Sequence, residues 1–138
     1  MERETAIAFL EALHRAQGEF YAGGPPGPLR ALLAPDVAWH VPGRSPIAGR
    51  HAGADAVLAY MTRRRTIAAA TFRMHTREIL VGTGDHLAAL TDGTALIAGR
   101  ERRWSTAGVY RLHDGRLAEC RLLPFDQAEF DEIWSADA

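Results

Sequence analysis

The sequence holds a single cysteine, Cys120, so it cannot staple itself with an internal disulfide. It has no excess of charge either. The 16 Lys+Arg and 17 Asp+Glu leave a formal charge of -1, which gives no field to gather a polyanion, and nucleic acid is not expected as a partner. No apolar run approaches the roughly 20 residues that a bilayer-spanning helix needs, so no membrane partner is expected. The N-terminal Met-Glu-Arg-Glu-Thr is charged where a signal peptide would be apolar, which with the lone thiol points to a cytoplasmic protein. The six histidines, at 14, 40, 51, 75, 86 and 113, show neither HxH nor HExxH spacing, and Cys120 has no cysteine or histidine close by. Gly82-Thr-Gly84 is too short for a nucleotide loop. Neither a metal nor a cofactor is expected.

What remains is an ordinary globular composition, 47% hydrophobic and 24% charged in 138 residues, which fits one domain spanning 1–138. Phe9, Leu13, Ala16 and Phe20 recur at helical spacing between Thr5 and Phe20, with Ile7 and Leu10 widening the stripe. The run Ala22-Gly-Gly-Pro-Pro-Gly-Pro28 ends that helix. Pro28 then suits the first position of a short helix carrying Leu29, Leu32 and Leu33, which Pro35 stops. A strand is predicted over Val37–Val41, an irregular stretch over Pro42–Gly49, and a third helix from Gly53 to about Arg65 with Val57, Tyr60 and Met61 inward. Arg63-Arg64-Arg65 closes it as a solvated end favoured by the helix dipole, although a phosphate could be gripped there.

The period then changes from helical to alternating. Strands are predicted from Phe72 to Val81, His86 to Ala98, Trp104 to Leu112 and Leu117 to Leu123, the last two joined by the hairpin signal Asp114-Gly115. Arg100-Glu-Arg-Arg103 reads as a charged hairpin tip. Asp126 and Glu129 have capping-box spacing and open a last helix with Phe130, Ile133 and Trp134 buried. Segregated helices followed by hairpin-linked strands argue for an α+β fold with an antiparallel sheet.

The segment Ala34-Pro-Asp-Val-Ala-Trp-His-Val-Pro-Gly-Arg-Ser-Pro-Ile-Ala-Gly49, followed by Gly53 and a helix, resembles the early strand and loop of SnoaL-like proteins of the nuclear transport factor 2-like superfamily. The hairpin Leu112-His-Asp-Gly-Arg-Leu117 and the following Ala118–Gln127 are similar to that family too. The resemblance implies a cone-shaped half-barrel, a curved mixed or antiparallel sheet wrapped on the N-terminal helices, with an apolar cavity at its mouth. It also implies a homodimer through the sheet and a small hydrophobic ligand. Such a pocket would be lined by Val41, Gly108, Cys120 and Leu122, with Trp39, Tyr60, Trp104 and Tyr110 as an aromatic wall for a flat apolar ligand, although core packing explains any one of these four rings as well. The family's acids are missing: Val41 stands before Pro42 where ketosteroid isomerases carry a carboxylate, and Gly108 and Leu122 occupy the other matching places.

Two residues could still do acid–base work. His40 on the early strand can exchange protons near neutral pH, or can instead hydrogen-bond the Gly43–Gly49 loop, since alternation sends it away from Trp39 and Val41. Asp92 is either a turn residue beside Gly93 or a buried carboxylate with a raised pKa, which would need a neighbour such as His86 or Arg73. Two functions follow. One is an isomerase-, cyclase- or hydrolase-type enzyme acting by proton transfer through His40 or Asp92; the other is a non-catalytic binding or dimerisation module.

Overall fold

A computed structural model describes residues 2–136. Helix α1 (Arg3–Tyr21) and the one-turn α2 (Gly27–Arg30) lead into β1 (Leu33–Val41), β2 (Gly49–Ala52) and α3 (Ala54–Ile67). Then come β3 (Arg73–Val81), β4 (His86–Ile97), β5 (Arg100–His113), β6 (Arg116–Pro124) and α4 (Gln127–Ser135). The six strands form one curved, unclosed sheet in the order β2-β1-β6-β5-β4-β3. Every neighbouring pair is antiparallel except β1 with β6, so the sheet is mixed. Helix α1 packs on β3, α3 on β1 and β2, and α4 on β5 and β6, which places all three long helices against the concave face.

Long alternating runs explain this sheet. Along β4 every second residue from Leu87 to Ile97 is buried or glycine, and along β5 the same holds from Trp104 to Leu112. The β5–β6 turn is Asp114-Gly115, both at positive φ (50° and 75°), as a tight primed turn requires. The β4–β5 turn uses Ala98-Gly99 in the same way, with φ of 51° and 78°. Arg100–Arg103 therefore lies within β5 and is not a hairpin tip. Its Arg102 runs back to clamp Glu132 of α4 with Nη2–Oε2 at 2.8 Å, which holds that carboxyl below its usual range.

The stretch 42–48 is irregular as expected, and Gly49–Ala52 at its end forms β2 against β1, a strand the sequence did not indicate. A further expectation is corrected. Asp92-Gly93 is neither a turn nor a bulge: β4 runs straight through it. Glycine is needed there because a Cβ on Gly93 would lie 2.4 Å from Cε2 of Trp104, whose indole rests on that backbone. Among the described residues no helix is long and apolar enough to cross a membrane.

Candidate functional site

The concave face and the helices over it enclose an aromatic interior. Trp39 on β1 meets Tyr110 on β5 edge-on, with centroids 6.4 Å apart, and lies 6.0 Å from Tyr60 of α3. Phe72 and Trp104 meet edge-on at 5.2 Å, and Trp104 meets Trp134 of α4 at the same distance. Two glycines permit this filling. A Cβ on Gly108 would come 2.6 Å from the Tyr110 hydroxyl, so the phenol, like the indole over Gly93, lies flat where any side chain would displace it. The ligand-sized hollow implied by the resemblance is consequently reduced to a cavity of about 20 Å³, room for one water.

That small cavity is not an oily one. It is bordered by Gln17, Arg64, Thr91 and Thr106 as well as by Trp39, Phe72, Met74, Trp104, Tyr110 and Leu122. Arg64 is 4% exposed, so the expected solvated helix end is wrong for this residue. The reason is helical periodicity: Arg64 shares its face of α3 with the buried Val57, Tyr60 and Met61. Its Nη1 donates to the Tyr60 hydroxyl at 3.1 Å, while Nε has no hydrogen-bond partner. Gln17 Oε1, Tyr21 Oη, Trp39 Nε1 and Trp134 Nε1 are likewise buried without partners. Buried polar atoms are normally paired, so this concentration calls for an explanation.

A second polar group stands beside the cavity. His14 of α1 places Nε2 3.2 Å from the Tyr110 hydroxyl and Nδ1 2.5 Å from Thr76 Oγ1 on β3. Burial lowers its pKa from 6.5 to about 4, because the charged imidazolium cannot be solvated there. His14 is thus neutral at physiological pH, and either ring nitrogen can carry its proton. Burial also raises Tyr110 well above the ordinary phenol value, and Cys120, beneath it on β6, well above the ordinary thiol value.

Of the residues picked out from the sequence, Trp39, Trp104, Tyr110 and Leu122 border the interior cavity. Tyr60, Gly108 and Cys120 lie in the surrounding shell, Tyr60 stacked on His51 at 4.5 Å and Cys120 paired in register with Trp39 and Tyr110. Val41 is buried and borders a shallow depression with His40, Pro42 and Leu123. His40 points to the outer face of the sheet. Its Nε2 meets Glu119 Oε2 at 3.0 Å, holding that carboxyl low, and it is His51 that binds the loop, at the Ile47 carbonyl. Asp92 is also on the outer face, accepting from Ser105 Oγ at 2.6 Å and paired with Arg77 Nε at 3.1 Å, not with His86 or Arg73. His40 and Asp92 are therefore on the opposite side of the sheet from the cavity.

Several surface concavities are larger than the interior one, and two of them bear on the site. The first, about 660 Å³ between α2 and the start of α3, contains the exposed Arg30–Asp55 ion pair. The second, about 440 Å³, runs along Asp92, Arg103, Phe125 and Asp126, and shares Gly93 and Trp104 with the interior cavity. Asp126 there accepts from the Glu129 amide at 3.0 Å, the helix cap its spacing indicates. Among the described residues no group of three or more His, Cys, Asp or Glu is arranged to hold a metal.

The SnoaL-like domain profile matches residues 6–120. Bal32a from a soil-derived mobile gene cassette is 27% identical, with a TM-score of 0.84 over 94% of this chain and 98% of that one. TerC, co-crystallised with polyporic acid, is 17% identical with a TM-score of 0.78, covering 96% and 99%. A candidate polyketide cyclase from Xanthomonas campestris pv. campestris is 16% identical with a TM-score of 0.75, covering 96% and 98%. Solved NTF2-like proteins share the fold as well. No curated protein matches in sequence.

Proposed function

The chain belongs to the SnoaL-like domain family, and from that membership we propose that its cone interior receives a small, largely hydrophobic molecule and acts on it by proton transfer. The observation that carries this reading is the set of unpartnered buried polar atoms, Gln17 Oε1, Trp39 Nε1 and Arg64 Nε, on side chains that border one cavity. An interior packed only for stability gains nothing from them, since each costs about 1–3 kcal/mol when left unpaired. A ligand supplies the missing partners. Because the cavity holds no more than a water, entry requires a side chain to swing aside, and Trp104, shared with the 440 Å³ groove, is the one so placed.

His14 and Tyr110 perform the transfer. With its proton on Nε2, His14 donates to the Tyr110 oxygen, leaving the phenol O–H to donate into the cavity. With its proton on Nδ1, it accepts from Tyr110: as the ligand passes a proton to the phenol oxygen, the phenol proton moves to Nε2 and the Nδ1 proton leaves through the half-buried Thr76 hydroxyl to solvent, so no imidazolium remains inside. His40 pairs with Glu119 away from the cavity, and Asp92, paired with Arg77, lines the groove through which the ligand enters.

A non-catalytic module is the second reading, and the nearly filled interior favours it. A turnover screen over enones, epoxides and cyclisable polyketides decides. Product formation that falls at least tenfold in both Tyr110→Phe and His14→Gln, with little change in melting temperature, supports the first reading; ligand binding without turnover selects the second. The outer sheet face belongs to the proposal as well. Leu80, Leu123 and Phe125 are 48%, 50% and 59% exposed there, beside the half-buried Ala88, Ala107 and Val109, and a second copy of the chain would cover them.

A further inference from the structure

Arg64 is the only arginine or acid among the described residues that is buried, and no carboxylate of those residues pairs with it. Five rings surround its guanidinium carbon: Trp134 at 4.4 Å, Phe72 at 4.6 Å, Tyr60 at 5.7 Å, Tyr21 at 5.8 Å and Phe130 at 6.0 Å. Attraction to ring faces offsets part of the cost of burying a charge, but it neutralises nothing. Nor do the ionisable groups nearby. Tyr21, Tyr60, Tyr110 and Cys120 are all held protonated by burial, so the interior carries one uncompensated positive charge. An apolar side chain of similar length would fill the same space more cheaply.

The guanidinium is also oriented. Nη1 donates to the Tyr60 hydroxyl and the guanidinium also lies against the Tyr21 hydroxyl, which leaves Nε as the donor without a partner. A free N–H on an uncompensated positive charge is matched to an anionic oxygen, and a carboxylate supplies one. The indole N–H of Trp39, also unpartnered, borders the same cavity, and aromatic rings make up most of its remaining wall. Resting on the small-molecule reading above, we infer that the ligand is an aromatic carboxylate, its anionic end held by Arg64 and its rings taking the place of Trp104.

The test uses the full chain and matched pairs of probes that differ only in charge: benzoate and benzamide, 2-naphthoate and 2-naphthamide, 2-anthroate and its amide, titrated calorimetrically. The wild type is expected to bind the best acid at least tenfold more tightly than its amide. Arg64→Met loses that preference while keeping the affinity for the amide, Arg64→Lys keeps part of it, and exposed Arg63→Gln leaves it intact. Ligand-free Arg64→Met melts no lower than the wild type, since it removes a buried charge. Equal affinity of the wild type for acid and amide overturns the inference and leaves the small-molecule reading standing; this comparison needs no variant to fold. A preference that survives in Arg64→Met also overturns it. No binding by either member of any pair overturns both.

Discussion

His14 and Arg64 are the two residues on which the proposed chemistry turns; the sequence offered His14 no role and read Arg64 only as part of the Arg63-Arg64-Arg65 helix end. Both sit on helical stripes that were readable. His14 falls in line with Leu10, Leu13, Gln17 and Tyr21, and Arg64 with Val57, Tyr60 and Met61. Polar type hid them: a histidine inside a helix and one arginine in a run of three look solvated until the face is counted. The burial of His14 has a measurable consequence. Its folded pKa of about 4 lies below the unfolded 6.5, so the unfolded chain takes up a proton between those values while the folded chain does not. The contribution is complete above pH 6.5 and is lost as pH falls towards 4, by about 3 kcal/mol. Urea unfolding at pH 7 and pH 4 should show His14→Gln losing that much less than the wild type. Parallel pH profiles for the two proteins would refute the assignment.

Strands and helices were more legible than their joints. The Asp114-Gly115 hairpin and the Asp126 cap were predicted correctly because each is a local device with its own residue signature. The Ala98-Gly99 turn was missed because the charged Arg100–Arg103 run imitates a solvent-facing tip, whereas its Arg102 is held against α4 by Glu132. Strand β2 was missed because four residues, all at least partly exposed, carry no alternation. Asp92 interrupts an apolar run, which reads as a turn. The long-range fact that removes the turn is Trp104 lying on Gly93, invisible without the register of β4 on β5. A methyl group at that glycine must move a rigid indole, so Gly93→Ala should destabilise the protein by about 1–3 kcal/mol and alter tryptophan fluorescence. An unchanged melting temperature and spectrum would show that the indole does not rest there.

At the level of the whole molecule, element order and a family resemblance sufficed for the cone, and the SnoaL-like match over residues 6–120 agrees. What could not be read was how full the cone is, since that depends on which rings lie over which glycines across three strands. The outer face makes its own prediction. Light scattering at micromolar concentration should give a dimer mass, and Leu123→Glu, which puts a charge in the exposed apolar strip, should halve it; a wild-type monomer would exclude the sheet-to-sheet assembly.

The most direct test concerns the interior. The three tryptophans, Trp39, Trp104 and Trp134, all face it, so their indole N–H signals in ¹⁵N-edited spectra report occupancy without any assumption about turnover. On titration with 2-naphthoate, the Trp39 and Trp104 signals should shift together with the Arg64 Nε–H signal, all saturating at one affinity. Shifts confined to surface amides, with the three indoles and Arg64 unmoved, would contradict a ligand site inside the cone.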